Sequence, residues 1–330
     1  MIHNNGFKIQ SSNYLKEYKV GFGILEKIKV NNGVIPYCNS SIDQSSPMTF
    51  IKAYSEFLER TRIGYNTFEG KNRFVFDIIN NKYEEIYSSY IGYGFNDKFG
   101  VLDTTGTASG LNSIGNMTKS LYELIEKNEL MLLWYKNMGQ GILQTQKIRS
   151  LIADIGFDSD EIYIYMSRNI SNAYCITVIV LNNNKIISSG VSFDLDIKIS
   201  MKNALLEAKM IEKIYGKNSQ SPYSRYNLEE HNLICKYVKQ INSCIEHIDF
   251  ESLYYDIEEK LVLTNWIDNL YYVVLNTKRY QRFLSIRCLS TKLICCLPTK
   301  KHIEQMSDKE IIKRYNILEN LDIIPNCCVL

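Results

Sequence analysis

Three things are scarce in this chain of 330 residues, and each scarcity removes a class of protein. Charge imbalance is the first: 38 Lys and Arg stand against 36 Asp and Glu, a net charge of +2. The basic residues are spread along the chain, so no electrostatic footprint for nucleic acid stands out. Paired cysteines are the second. The nine cysteines (Cys38, Cys175, Cys235, Cys244, Cys288, Cys295, Cys296, Cys327 and Cys328) include no C-x-x-C pair, and the adjacent ones sit too close for a comfortable disulfide or metal pair. A reduced, cytoplasmic compartment is expected. Long apolar runs are the third. No stretch is long enough to cross a bilayer, and the opening MIHNNGFKIQSSNYLKEYKV lacks the apolar core of a signal peptide. No membrane association is expected.

What is present suffices for a folded protein. A hydrophobic content of 45% supports one large or two small domains. Period-two alternation predicts short strands in 18–38, with a turn at Asn31-Asn32-Gly33, and a helix follows from about Pro47 with Ser46 as its cap. Residues 71–104 mix short strands and turns. Strands are expected at 161–169, 173–183 and 185–194, then a helix at 200–215 and a helical segment 227–247 that carries His231 and His247, neither with a catalytic part on chemistry alone. Strands are expected again at 261–277 and 282–297, then a polar helix near 302–319. Repeated strand–strand–helix units with no interrupting linker predict a single α+β domain of layered sheets and helices over residues 1–330.

The chemistry concentrates in two helical stretches. In FIKAYSEFLERT (50–61), Lys52, Glu56, Glu59 and Arg60 share a face, with Phe50, Tyr54, Phe57 and Leu58 expected on the buried side. The segment from Asp103 to Tyr135 opens as a small-residue loop with Gly106, Gly110 and Gly115. It becomes a helix with an apolar stripe of Met117, Leu121, Leu124 and Ile125, opposite Lys119, Glu123, Glu126 and Lys127. Both polar stripes read K-x-x-x-E-x-x-E-[KR]. A single charged stripe is ordinarily a solvated face held by weak ion pairs. Two copies on facing helices would instead bring together carboxylates for Mg2+ and cations for phosphate oxygens, the needs of a metal-chelated polyphosphate.

The GTASG segment (106–110), YELIEK and LLWY resemble the second signature block of YcaO-domain proteins, in which a Gly-Leu-Ala-Ala-Gly-like loop precedes a helix ending in E-x-x-E-R. SEFLER is similar to the first block, FDLDIKISMKNALLEAKMIEK (193–213) to the third, and NLEEHNLICKYV (227–238) to the Glu-His segment after it. These blocks span about residues 46–240, and 241–330 would be the variable C-terminal part. The resemblance implies an ATP-dependent cyclodehydratase that activates backbone amides of a ribosomally made precursor peptide and forms thiazoline or oxazoline rings from Cys, Ser or Thr, as in bacteriocin biosynthesis. It implies ATP and Mg2+ as cofactors. Glu56, Glu59, Glu123 and Glu126 would be the metal carboxylates; Lys52, Arg60, Lys119 and Lys127 would complete the nucleotide site. Implied partners are the precursor peptide, a ThiF-like or winged-helix leader-binding protein and a flavin dehydrogenase, in a homo- or hetero-oligomer.

The chain departs from the pattern at that site. Lys52 stands for a serine, Leu111, Gly115 and Lys119 for Asn, Glu and Gln, Lys127 for the final Arg, and Met210 for the third-block Gln. The Pro-alternating end is reduced to Pro325 followed by Asn-Cys-Cys-Val-Leu. Lysines one turn from Glu56 and Glu123 can neutralise carboxylates that would otherwise hold a cation, so the alternative is a degenerate YcaO protein that scaffolds a peptide-modifying complex without turning over ATP. A third reading is an unrelated α+β protein whose stripes are ion-paired surface.

Overall fold

A computed structural model describes residues 8–11, 18–24, 28–30, 33–35, 38–159, 161–215, 222–253, 256–276 and 282–329. Asn31 and Asn32 of the expected turn lie outside the described residues. The chain divides into two compact units: Met1–Lys127 with Asn265–Leu297 and Gln305–Ile311, and Asn128–Thr264 with Pro298–Glu304 and Ile312–Leu330. The expected α+β class is what the structure has. Among the described residues, no helix is long and apolar enough to cross a membrane.

The first unit is built around helix α1 (Ser46–Glu69) and a five-stranded antiparallel sheet in the order Thr107–Gly110, Leu284–Leu289, Tyr271–Val274, Asn72–Asp77, Lys82–Tyr87. A second sheet joins Lys8–Ser11, Lys19–Ile24 and Cys38–Asp43. α1 packs on Cys38–Asp43 and on Thr107–Gly110, and each of these is an edge strand of its sheet. The cap is Ser45, one residue before the expected Ser46: its side chain accepts from the Met48 amide at 3.2 Å, and Pro47 fills the first turn, where its missing N–H costs nothing. The helix stops at Gly70, whose φ of 66° is left-handed.

The expected buried side of α1 is corrected by the structure. Phe50 is 43% exposed, whereas Thr49, Ser55, Arg62 and Asn66 are buried. α1 turns a polar face inward because partners wait there: Thr49 donates to the Lys19 carbonyl at 3.4 Å, Arg62 to the Ser285 hydroxyl at 2.7 Å and Asn66 to the Leu275 carbonyl at 3.0 Å. The small-residue segment expected as a loop is also different: Thr107–Gly110 is a strand paired with Leu284–Leu289. Its lead-in Gly106 has φ 74° and lies so close to the paired strand that a Cβ would sit 2.5 Å from the Cys288 carbonyl.

Helix α2 (Ser113–Lys136) contributes residues to both units, the division falling after Lys127. In its second-unit half the stretch 130–135 is apolar on every side, with Leu130 through Trp134 each at most 1% exposed, the signature of a fully surrounded helix. Burying each such side chain stabilises by about 1.5–3 kcal/mol. Trp134 satisfies its indole N–H on the Pro325 carbonyl at 2.8 Å.

The second unit carries the sheet Lys185–Asp194, Tyr174–Asn182, Glu161–Ser167, Gln140–Ile142, His247–Ile248, in that order. Asn183 and Asn184, at φ 51° and 56°, make the two-residue turn between the first two strands, as a right-twisted hairpin requires. Helices α3 (Gln146–Ile155), α4 (Ile197–Tyr215) and α5 (Leu228–Cys244) complete the unit. α3 was not anticipated. His247 stands in a short strand, not on the helix, which ends at Cys244. Of the expected strand 261–277 only Tyr271–Val274 is regular, because the backbone of Val262 and Thr264 bonds to the loop at Ile170 and Asn172 instead of to a ladder. Likewise only Leu284–Leu289 is regular within 282–297. The expected helix 302–319 is two short ones, Lys300–Gln305 and Glu310–Arg314; between them the Lys309 ammonium turns inward onto the Thr291 carbonyl at 3.0 Å.

Candidate functional site

In an antiparallel strand alternate residues turn their N–H groups to opposite sides. Among the described residues Thr107–Gly110 has a neighbour on one side only, and the Gly106 carbonyl accepts from the Cys288 amide on that side. Thr107 and Ser109 therefore direct their amides to the open edge. There two carboxylates meet them: Glu59 of α1 accepts from the Ser109 amide at 2.7 Å, and Glu123 of α2 accepts from the Thr107 amide at 3.2 Å. Two residues along a strand span about 6.7 Å, so one strand edge brings acidic groups from two helices side by side. Among the described residues Glu59 Oε2 and Glu123 Oε1 have no further hydrogen bond.

The neighbouring charges are arranged differently. Glu56 uses both oxygens, one accepting from the Ser40 amide on the edge strand Cys38–Asp43 at 2.7 Å and the other paired with Arg60 at 2.5 Å. Glu126 pairs with Lys127 at 2.8 Å. Lys52, expected beside Glu56, instead reaches Asp43 at 2.7 Å and the Ile42 carbonyl at 3.2 Å, so the cation on Glu56 is Arg60. Lys119 is exposed, and Gly115 lies in the first turn of α2 with its amide on the Asn112 side chain.

Burial raises every carboxyl here, and like charge adds to it at Glu59 and Glu123. Burial pushes Glu59 well above the usual range, and the charges of Glu123 and Glu56 push it further. Burial takes Glu123 up to about 8, against the pull of Lys127 and with the push of Glu126 and Asp103. Burial also raises Glu56 and Glu126, offset by Arg60 and Lys127 respectively. Such a pair favours a proton or a metal cation between its members. Among the described residues no three of His, Cys, Asp and Glu gather closely enough to hold a metal by themselves.

Several neighbours carried no motif. Ser285 and Arg287 lie directly across from Ser109 and Thr107, and Arg62 donates to the Ser285 hydroxyl at 2.7 Å. Arg287 is fully buried, with its guanidinium on the carbonyls of Ile91 at 2.8 Å and Asp103 at 2.5 Å. An arginine in the middle of the apolar run LSIRCL was the one available signal. In the second unit, Glu207 of α4 caps the amide of Val191 on the edge strand Lys185–Asp194 at 2.8 Å. His231 accepts from the Ile186 amide through Nδ1 at 3.3 Å, a satisfied structural histidine.

No family model matches the sequence, and no curated protein matches it. Solved structures do. YcaO from Methanopyrus kandleri, bound with AMPPCP and Mg2+, superposes with TM-score 0.63 at 11% identity, over 87% of this chain and 86% of that one. The chain has the YcaO fold. The E. coli microcin synthetase McbBCD complex with pro-MccB17 bound gives 0.58 at 12% identity, over 87% and 88%. A heterocyclase in complex with substrate and cofactor gives 0.58 at 10% identity, where this chain spans 49% of the longer protein. At such identities the YcaO likeness is one of architecture, and roles for individual side chains rest on the geometry above.

Proposed function

We propose that the protein is a YcaO-type component of a peptide-modifying system. In this reading residues 1–330 act as one YcaO-type domain, which binds ATP with Mg2+ and activates backbone amides of a ribosomally made precursor peptide for closure to thiazoline or oxazoline. The observation that carries the reading is the pair Glu59 and Glu123, each gripped through one oxygen by one strand edge and each with a second oxygen unused among the described residues. Mg2+ is commonly held by one or two carboxylates together with water and substrate phosphates, so two carboxylates suffice without a three-residue cluster. The donor set fits: two mutually repelling carboxyls trade that repulsion for a shared cation, and the unpartnered Thr107 hydroxyl beside them lacks an acceptor that a phosphate oxygen would provide.

Bound ATP would supply the electrophilic phosphorus that turns an amide oxygen into a phosphate leaving group. The protein's own part is positioning and charge compensation. Glu59 and Glu123 hold the cation. Arg60, oriented by Glu56, and Lys127, oriented by Glu126, offset phosphate charge, with exposed Lys52 and Lys119 as outer phosphate contacts. The precursor peptide, a ThiF-like or winged-helix leader-binding partner and a flavin dehydrogenase that oxidises the rings complete the proposed system, assembled as an oligomer in the cytoplasm.

The test is phosphate release from ATP in the presence of a Cys- or Ser-containing peptide, with the protein alone and with the products of neighbouring genes. Release that Glu123→Gln abolishes supports the reading; no release in any combination, with the complex assembling normally, overturns it. That second result is what the alternative predicts, a scaffold subunit without turnover. Its support is Glu56, with both oxygens taken, and Glu126, held by Lys127.

A further inference from the structure

We propose that the face of the strand pair Thr107–Gly110 and Leu284–Leu289 turned toward α1 is a seat for an oxyanion, and that its ligand is a phosphate group. The register sets Thr107 opposite Arg287 and Ser109 opposite Ser285, so four side chains form a two-by-two array on one face. Arg62 of α1 reaches the same array through the Ser285 hydroxyl.

A count of donors and acceptors shows what the array lacks. A guanidinium only donates, so Ser285 Oγ accepts from Arg62. The hydroxyls of Ser285 and Ser109 share a hydrogen bond, but only one of their two protons can lie between the oxygens, and the other has no acceptor. Thr107 Oγ1 is buried with no partner among the described residues, and so is Arg287 Nε. Three donors are in surplus beside two guanidinium charges, on residues at most 8% exposed. Buried donors in native proteins are otherwise nearly always satisfied. An oxygen-rich anion answers both the charge and the missing acceptors.

The same two residues explain how cation and anion would be kept apart. The backbone amides of Thr107 and Ser109 hold Glu123 and Glu59 at the strand edge, whereas their hydroxyls turn to the face. One short strand thus offers carboxylates for a metal on one side and donors for phosphate on the other. The Gly-Leu-Ala-Ala-Gly pattern that the segment resembles has neither hydroxyl. The assignment of the phosphate to a nucleotide rests on the function proposed above; the seat itself does not.

The experiment is calorimetric titration of inorganic phosphate into the full chain, without nucleotide or magnesium, for the natural protein, Thr107→Val and Ser109→Ala, with thermal unfolding of each. Both substitutions keep the backbone amides. Phosphate binding that each variant weakens about tenfold, with Thr107→Val unfolding no earlier than the natural protein, supports the seat. Absence of phosphate binding, equal binding by all three proteins, or early unfolding of unliganded Thr107→Val would overturn it, the last because the hydroxyl would then be satisfied by internal water. A parallel titration with ATP and Mg2+ separates the sources. Weakening in both arms assigns the seat to a nucleotide phosphate; weakening with phosphate alone assigns it to free phosphate, and the nucleotide reading fails while the seat stands.

Discussion

Glu123→Gln isolates one carboxyl whose charge the fold disfavours. Gln keeps the shape and can still accept from the Thr107 amide, but it cannot ionise. In the folded protein Glu123 titrates near 8 against an ordinary 4.5, chiefly because burial penalises the charged form. Between those values the unfolded chain is ionised there and the folded chain is protonated, so folding takes up a proton. Stability from this group is therefore complete below about pH 4.5 and is lost as pH rises, by about 1.4 kcal/mol per unit, until the folded group itself ionises. Relative to natural protein, the Gln variant should differ by less than about 1 kcal/mol at pH 5, be more stable by roughly 3 kcal/mol at pH 7, and level off at a gain of about 5 kcal/mol by pH 9. Urea unfolding at these three values, free of divalent cations, reads the difference directly. Parallel stability profiles for the two proteins would refute the reasoning, since they would mean that Glu123 is as well solvated folded as unfolded.

Three further outcomes follow from the same structure. A double-mutant cycle on Glu59→Gln and Glu123→Gln at pH 8 should show the second substitution stabilising less than the first, because the charge of Glu123 adds to the rise at Glu59; strict additivity in urea unfolding would place them out of reach of one another. Gly190→Ala would put a Cβ 2.2 Å from the Ala204 carbonyl and 2.6 Å from the Ala208 amide, forcing α4 off its strand at a cost of about 3 kcal/mol, readable as a lowered urea midpoint. Asn227→Ala removes one arm of the capping box with Glu230 at the start of α5 and should cost about 1 kcal/mol in the same assay.

The second-unit hairpin was legible because its signals are local: β-branched alternation in 173–194 and a polar break at Asn183 and Asn184. The strand Thr107–Gly110 was not. Small residues carry no strand preference of their own, and its pairing partner lies more than 170 positions away at Leu284–Leu289. The face of α1 was misread for a related reason. Phe50 and Tyr54 looked like core, but they stack on one another near the surface, while Thr49, Arg62 and Asn66 go inward to the Lys19 carbonyl, the Ser285 hydroxyl and the Leu275 carbonyl, partners that only the fold assembles. The carboxylate stripes themselves were readable from spacing alone. Which glutamate has an oxygen to spare was not, because that depends on amides contributed by Ser40, Thr107 and Ser109 from distant stretches of chain.

That dependence also separates what the signature-like glutamates share from what distinguishes them. Glu56, Glu59, Glu123 and Glu207 all do one thing: a helix carboxylate accepts from an amide on the open edge of a strand. A protein needs no ligand to make use of that device, since an uncovered edge invites pairing with other chains and a buried amide without an acceptor is destabilising. Capping alone therefore accounts for glutamates at these positions. It does not account for two caps on alternate residues of one strand, because an amide two residues further along could be covered by an uncharged side chain without the burial penalty that lifts Glu59 and Glu123 and the charge of Glu123 that adds to it at Glu59. Glu56 is relieved by Arg60. Among the described residues Glu59 and Glu123 have no direct ion pair, so burial keeps them protonated at neutral pH, and the cost of ionising them is what a divalent cation would offset.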